Sequence, residues 1–334
     1  MTSVVFAPTE TVMSGLLFST SILRMIVTSQ GSTLIMNLAQ ALDLSIKEAE
    51  TQGTKKDKFY KIGDRRYYNY VDNESWKAFV DEMKVSYTTI YKNYVEGSGD
   101  ELGVKRVGIY PPKMASYGSS SRMIYFLARK IPGFKFEKKL YTTVGGTANM
   151  DGFVSINGKD IYIEAKCREP YGSHNATIDR KYEDLYRFFN EQPDLPFKCE
   201  IEILDEKEMK VNFISKGNTL KRFDIKQMIC HLLGIATEKL TTPTEDKVVF
   251  KYLLFNPTEI AIEDTAWREK LTKAYRQETD ECDSVPFAEL YKVIITFLTT
   301  KTTIKVSDKA DIDSIANNFE FSRCDQITFA EQLK

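Results

Sequence analysis

Met150-Asp151-Gly152-Phe153-Val154-Ser155-Ile156-Asn157-Gly158-Lys159-Asp160-Ile161-Tyr162-Ile163-Glu164-Ala165-Lys166 is the stretch on which the fold turns. Asn157-Gly158 separates two apolar-rich runs, and an Asn-Gly pair suits the type I′ turn of a hairpin, which needs positive φ at both central residues. A two-residue loop fixes the register of the strands it joins. Ile156 then faces Lys159, Phe153 faces Tyr162, Asp151 faces Glu164 and Asn149 faces Lys166. Strand alternation puts Lys166 on the face of Glu164 and sends Ile161, Ile163 and Ala165 the other way, toward a core.

Two directly opposed carboxylates, with Cβ atoms roughly 4.5–5.5 Å apart, are destabilising unless something positive lies between them. A hard divalent cation with oxygen ligands is the natural candidate. Mg²⁺ held by Asp151 and Glu164 would position a water and stabilise charge developing on a phosphodiester. The Lys166 ammonium would stabilise the same charge or orient the water. Acid-x-Lys triplets are common in this chain (Glu82/Lys84, Glu137/Lys139, Asp205/Lys207, Glu208/Lys210, Asp224/Lys226, Glu245/Lys247). Only Glu164-Ala165-Lys166 closes an apolar strand whose hairpin partner offers an aspartate at the matching position. The plainer alternative is a cross-strand acid–lysine pairing on a wet edge.

Outward from the hairpin, Ser119-Ser120-Ser121 opens a helix over 119–130, stopped by Pro132-Gly133. Residues 134–142 alternate as a strand, followed by the strands at 148–156 and 159–167. A helix over 178–190 follows, with Ile178, Tyr182, Leu185 and Phe189 on one face. The strand 197–203 alternates and pairs with 209–214. A helix over 224–233 leads to the mostly apolar strand 248–255, ended by Asn256-Pro257 and central in its sheet. The remainder reads as mainly helical. The class is α/β with a mixed sheet.

Before this core, 33–51 reads as an amphipathic helix (Leu34, Leu38, Leu42, Ile46). Asn73-Glu74 starts a second, whose stripe of Trp76, Phe79, Met83, Tyr87, Ile90 and Tyr94 runs to 96. Gly97-Ser98-Gly99 marks a domain boundary. Between the helices, Lys55 to Tyr70 carries six lysines and arginines against two aspartates, with Tyr60, Tyr67, Tyr68 and Tyr70 interleaved. Such a stretch suits nucleic acid, with cations on phosphates and aromatics on bases. A solvated loop beside a tyrosine-lined core edge would look the same. Residues 1–32 read as a weakly structured leader. No basic residue precedes the apolar run 12–28, which also carries Arg24, so it is neither a signal peptide nor a membrane span. The resulting division is 1–32, 33–100, a core over 101–280 and a C-terminal extension over 281–334.

Composition narrows the chemistry. The 334 residues are 42% apolar with net charge −1, so they build a packed core and any basic surface is local. The five cysteines are scattered, with no CxxC pair, and read as reduced thiols of a cytoplasmic protein. Only His174 and His231 are present, with no zinc-type spacing and no nucleophile elbow. Hydrolytic chemistry must therefore rest on carboxylates and lysine.

Met150-Asp151, followed by Ile163-Glu164-Ala165-Lys166 in the next strand, resembles the PD-(D/E)XK nuclease superfamily, the restriction-endonuclease-like fold. The element order over roughly residues 105–256 follows that family's helix, three antiparallel strands, helix and strand. The resemblance implies a metal-dependent DNA endonuclease. Asp151 and Glu164 would bind Mg²⁺ or Mn²⁺ with the Ala165 carbonyl, and Lys166 would assist the attacking water. Met150 stands where the motif has proline. The helix 119–130 lacks the acid many members carry there, and Glu137 in the first strand is the nearest substitute. Gln227, four residues before His231, fits the glutamine motif that some members carry on the following helix. Asp224 and Gln227 equally fit an N-cap and its partner at N3. Arg168, Glu169 and Tyr171 either contact substrate or simply leave the sheet. DNA is the implied partner, and cleavage of both strands would imply a homodimer, though no interface signature stands out. A non-catalytic nucleic-acid-binding or interaction module on the same fold is the competing reading.

Overall fold

The computed structural model describes residues 37–333 apart from Lys56, Ser98, 172–176, Asp194, Lys216, Ala261 and Glu263. The leader and His174 lie outside the described residues, as do residues 33–36 of the first expected helix. From residue 36 onward the chain forms one compact unit.

The N-terminal part holds α1 (Leu38–Thr51), a hairpin of β1 (Tyr60–Ile62) and β2 (Arg65–Tyr67), α2 (Asn73–Ser86) and α3 (Thr88–Glu96). Asn37 and Gln40 form a reciprocal capping box at the start of α1. The single helix expected over 73–96 is two, because Tyr87 leaves helical geometry at φ −135°, ψ 48°. The cap of α2 is Asp72, whose side chain accepts from the Ser75 amide. Next come α4 (Ser120–Ala128), capped by Ser119, then β3 (Lys135–Thr142), β4 (Gly146–Ile156) and β5 (Lys159–Lys166). An inserted layer holds β6 (Thr177–Asp179), α5 (Glu183–Asn190), β7 (Phe197–Ile203), β8 (Glu208–Ser215) and β9 (Asn218–Thr219). The chain finishes with α6 (Ile225–Thr241), β10 (Lys247–Leu254), α7 (Thr265–Asp283), α8 (Phe287–Lys301), α9 (Ile312–Asn317) and β11 (Phe319–Cys324).

The main sheet has the order β11-β10-β5-β4-β3. β3, β4 and β5 are antiparallel, whereas β10 runs parallel to both β5 and β11. Sequence reasoning found every strand of this sheet except β11, in a C-terminal region expected to be mainly helical. β11 is held by aromatic stacking: Phe319 on Tyr291 at 4.3 Å and Phe321 on Phe287 at 3.7 Å. Ile178 is not on a helix face but in β6, opposite Met209.

Both faces of the sheet are buried. Ile161, Ile163 and Ala165 of β5, with Val249 and Leu253 of β10, pack on α1 to α4. Tyr162, Phe250 and Tyr252 pack on α6, α8 and the inserted layer. A fully buried Leu or Ile contributes about 1.5–3 kcal/mol over exposure, and Met228, Ile229, Leu232 and Leu233 fix α6 on the sheet in this way. The helix expected to end at 233 continues through Gly234, because the helix backbone lies directly on β3. A Cβ at Gly234 would stand 2.8 Å from that of Leu140.

The N-terminal helices therefore share a core with the sheet, and Gly97-Ser98-Gly99 is not a boundary in packing. The limit drawn at 280/281 is likewise absent, since α7 crosses it. No described helix is long and apolar enough to span a membrane. All five cysteines are free thiols.

Candidate active site

The hairpin forms as its turn residues require: Asn157 has φ +53° and Gly158 φ +69°. The register pairs Ile156 with Lys159, Phe153 with Tyr162 and Gly152 with Ile163. One step further, where Asp151 was expected to face Glu164, the ladder stops. By this register residues 150 and 165 would make the next hydrogen-bonded pair. Instead the Ala165 amide donates to Asp151 Oδ2 at 2.7 Å. The Phe255 amide donates to the Lys166 carbonyl at 2.8 Å, so the backbone groups of Ala165 are directed the other way, into the gap where β4 leaves β5.

The cause is a change of phase in the sheet. Ala148 and Met150 lie in the α6-side core, and so does Phe153, although strict alternation would send it to the opposite face. β3 does the same. Phe136 lies in the α3/α4-side core and Leu140 in the α6-side core. The two strands switch together, for Phe136 pairs with Gly152 on one side of the break and Lys138 with Met150 on the other. Glu137, between them, takes a left-handed φ of +54°. A non-glycine residue in that region stores strain of order 1–3 kcal/mol, and such strain clusters at functional sites. The single-face arrangement expected for Asp151, Glu164 and Lys166 is therefore corrected. Asp151 sits at the seam, while Glu164 and Lys166 face α6.

On the α6 face Glu164 is 1% exposed and Lys166 9%. Lys166 Nζ lies 2.7 Å from Glu164 Oε1 and donates to Gln227 Oε1 at 2.6 Å. His231 Nε2 faces Glu164 Oε2 at 2.9 Å. Burial pushes the Glu164 carboxyl up, but Lys166 and His231 outweigh it and hold it at about 2. Burial opposes charge on Lys166 too, and the carboxylates of Glu164, Glu169 and Asp151 override it, holding the ammonium above its ordinary range. These acids favour the charged form of Lys166. The cap expected at Gln227 forms on one side only. Asp224 caps the Gln227 amide at 3.2 Å, and the Gln227 side chain goes to Lys166 instead of back to the cap.

At the seam the electrostatics reverse. Burial, then the nearby Glu164 and Glu137, push the Asp151 carboxyl well above its ordinary range against the pull of Lys166. Burial, then Glu101 and Glu164, raise Glu137 to about 7. Glu101, 36 residues before Glu137 and in a Gly-rich turn, carried no sequence signal. It is lifted by burial and paired with Lys113 at 3.6 Å. Tyr94 of α3 donates to the Ser121 carbonyl and lines the same region.

The residues after the motif divide. Tyr171 is buried and donates to the Phe255 carbonyl, and Glu169 accepts from Ser120 and from the Cys167 and Arg168 amides. Both fasten the end of β5. Arg168 and Glu169 both line a cleft of about 660 Å³ that also takes in Lys166 and Gln227. Tyr67 and Tyr70, from the basic stretch, line it as well, Tyr70 in hydrogen-bond contact with Arg168.

Among the described residues, no three Asp, Glu, His or Cys side chains converge as a ready metal-binding group. Asp151 is turned to the Ala165 amide and Glu164 to Lys166 and His231. The residues nevertheless suit a hard cation. Asp151 and Glu137 are carboxyls whose negative charge burial and their neighbours disfavour. Each would be relieved by a divalent ion at the seam. No protein-family model, characterised protein or solved structure matches the chain.

Proposed function

We propose that the chain is a metal-dependent nuclease, with a restriction-endonuclease-like core, that hydrolyses phosphodiester bonds in DNA. One observation carries the reading. A hairpin of fixed register delivers Asp151, Glu164 and a buried, charged Lys166 to the point where the sheet changes phase, beside a strained Glu137. The order α4, β3, β4, β5, α6, β10 supports the same reading.

A bound Mg²⁺ or Mn²⁺ would supply Lewis-acid stabilisation and an activated water. Asp151 and Glu164 would hold it, with the Ala165 carbonyl directed into the same gap and Glu137 beside them. The Lys166 ammonium, at the edge of the cleft, would stabilise the charge that develops on phosphate oxygens. Gln227 orients Lys166, and His231 holds the far oxygen of Glu164.

The closed Lys166–Glu164 pair also favours a second reading, in which the network is structural and the fold is a non-catalytic binding module. Cleavage of plasmid and oligonucleotide DNA in Mg²⁺ or Mn²⁺ separates the two. The nuclease reading expects activity that Lys166→Ala and Asp151→Asn abolish. Undiminished activity in both variants would sink it.

A further inference from the structure

We propose that the cleft over Lys166 is a binding site for a single unpaired nucleic-acid strand. Tyr67 and Tyr70 each offer a ring face to a base, and Arg168 holds an adjacent phosphate. The inference rests on the nuclease reading for the fate of the strand, but not for its binding.

The first ground is depth. Lys166 is only 9% exposed, and the cleft it opens into is about 660 Å³. That is the size of a pocket for a small ligand. With Lys166 so nearly covered, one flexible strand brings a phosphate to it more readily than the stiff backbone of a duplex.

The second is chemistry. Tyr67 and Tyr70 pair edge to face at 5.8 Å and are half-buried on the cleft wall. Aromatic faces reward a base only when its own faces are free, which is the condition of a single strand. Arg168 is oriented from beneath by Asp43, a fully buried carboxylate at 3.3 Å that also accepts from Asn69 at 2.7 Å. Arg168 and Asn69 both line the cleft. The first turns of α1 and α6 border it as well, through Asn37, Gln40 and Gln227, so the positive ends of two helix dipoles add to Lys166 and Arg168. Two acids are also present, each already engaged: Glu169 with backbone amides and Ser120, and Asp224 with the Gln227 amide.

The third is rigidity. Lys47 of α1, 4% exposed, donates to the Lys58 and Tyr68 carbonyls and fastens the tyrosine stretch to the helix. The platform is therefore built before a strand arrives, and binding need not order it.

The test is fluorescence anisotropy of the intact chain in EDTA, with labelled single-stranded DNA, single-stranded RNA and a blunt duplex of the same sequence. The proposal expects a single strand to bind at least about tenfold more tightly than the duplex, and the two single-strand arms tell which sugar is accepted. Tyr67→Leu and Tyr70→Leu should each weaken single-strand binding by about 5- to 140-fold, the fold-change equivalent of about 1–3 kcal/mol per stacked base. Tyr67→Phe, which keeps the ring, should keep it. Thermal unfolding screens the variants, and Tyr67→Leu decides if Tyr70→Leu does not fold. Equal or tighter duplex binding, no binding of either single strand, or leucine variants that bind like wild type would overturn the proposal. Single-strand binding without cleavage in any divalent metal would support it and remove the nuclease reading. Duplex cleavage undisturbed in the leucine variants would do the reverse.

Discussion

The Asp151 carboxylate accepts the Ala165 amide at 2.7 Å, in place of the backbone bond that the hairpin register would make there. One carboxylate thus ends the β4–β5 ladder, and it does so beside Glu164 and Glu137, which disfavour its charge.

Asp151→Asn keeps an oxygen for the Ala165 amide and removes the disfavoured charge. The variant should unfold at the same temperature as the parent or higher, and lose about 10²–10³ in cleavage rate, the scale seen when a preorganised charge-stabilising group is deleted. Calorimetry and a plasmid assay check the pair. A variant that loses stability and activity together would mark Asp151 as structural.

A divalent cation should stabilise the wild type through the same acids. Millimolar Mg²⁺ or Mn²⁺ should raise the melting temperature at pH 8, as any ligand that binds only the folded state must. Asp151→Asn and Glu164→Gln should not show the rise. An equal rise in all three proteins would place the cation elsewhere.

Glu278 on α7, 1% exposed, accepts from Tyr252 Oη at 2.5 Å. Burial raises its carboxyl to about 7 from an ordinary 4.5. The folded state then binds the proton more tightly than the unfolded state. The stability this contributes is fully present below pH 4.5 and is lost as pH rises through about 7. Glu278→Gln, which keeps an acceptor for Tyr252, should match wild type near pH 5 and melt a few degrees higher at pH 8. Melting curves across that range check the sign.

Gly152 is required by close packing, because a Cβ there would overlap the Phe134 ring. Gly152→Ala should cost about 1–3 kcal/mol, as overpacking does. Adding Phe134→Leu should recover part of it, and a double-mutant cycle by chemical unfolding measures the coupling.

The hairpin was legible because its determinants are local: two turn residues and a period of two on either side. The contact between Gln227 and Lys166 was half legible, since the spacing that fits a cap also fits a reach into the site. The phase change at Glu137 and Asp151 was not. Alternation is a local rule, and here two cores pressing from opposite faces override it in both strands at once, leaving the pairing sums unchanged. β11 was missed because Phe319-Glu320-Phe321-Ser322 is short and is held by the distant rings of Tyr291 and Phe287. Glu101 reaches the site through a turn that no periodicity announces.

The order of the main sheet bears on how the chain reaches this structure. β4 and β5 pair across two residues and can zip early. The other edge of β5 waits for β10, which begins at Lys247, and β10 waits for β11 at Phe319. Such non-local parallel pairing is slow. During synthesis the apolar strand carrying Glu164 and Lys166 is a naked edge while the whole inserted layer is made, and naked edges recruit other chains. Chains cut before Lys247 should therefore aggregate through β5, whereas chains that include β11 should stay in solution.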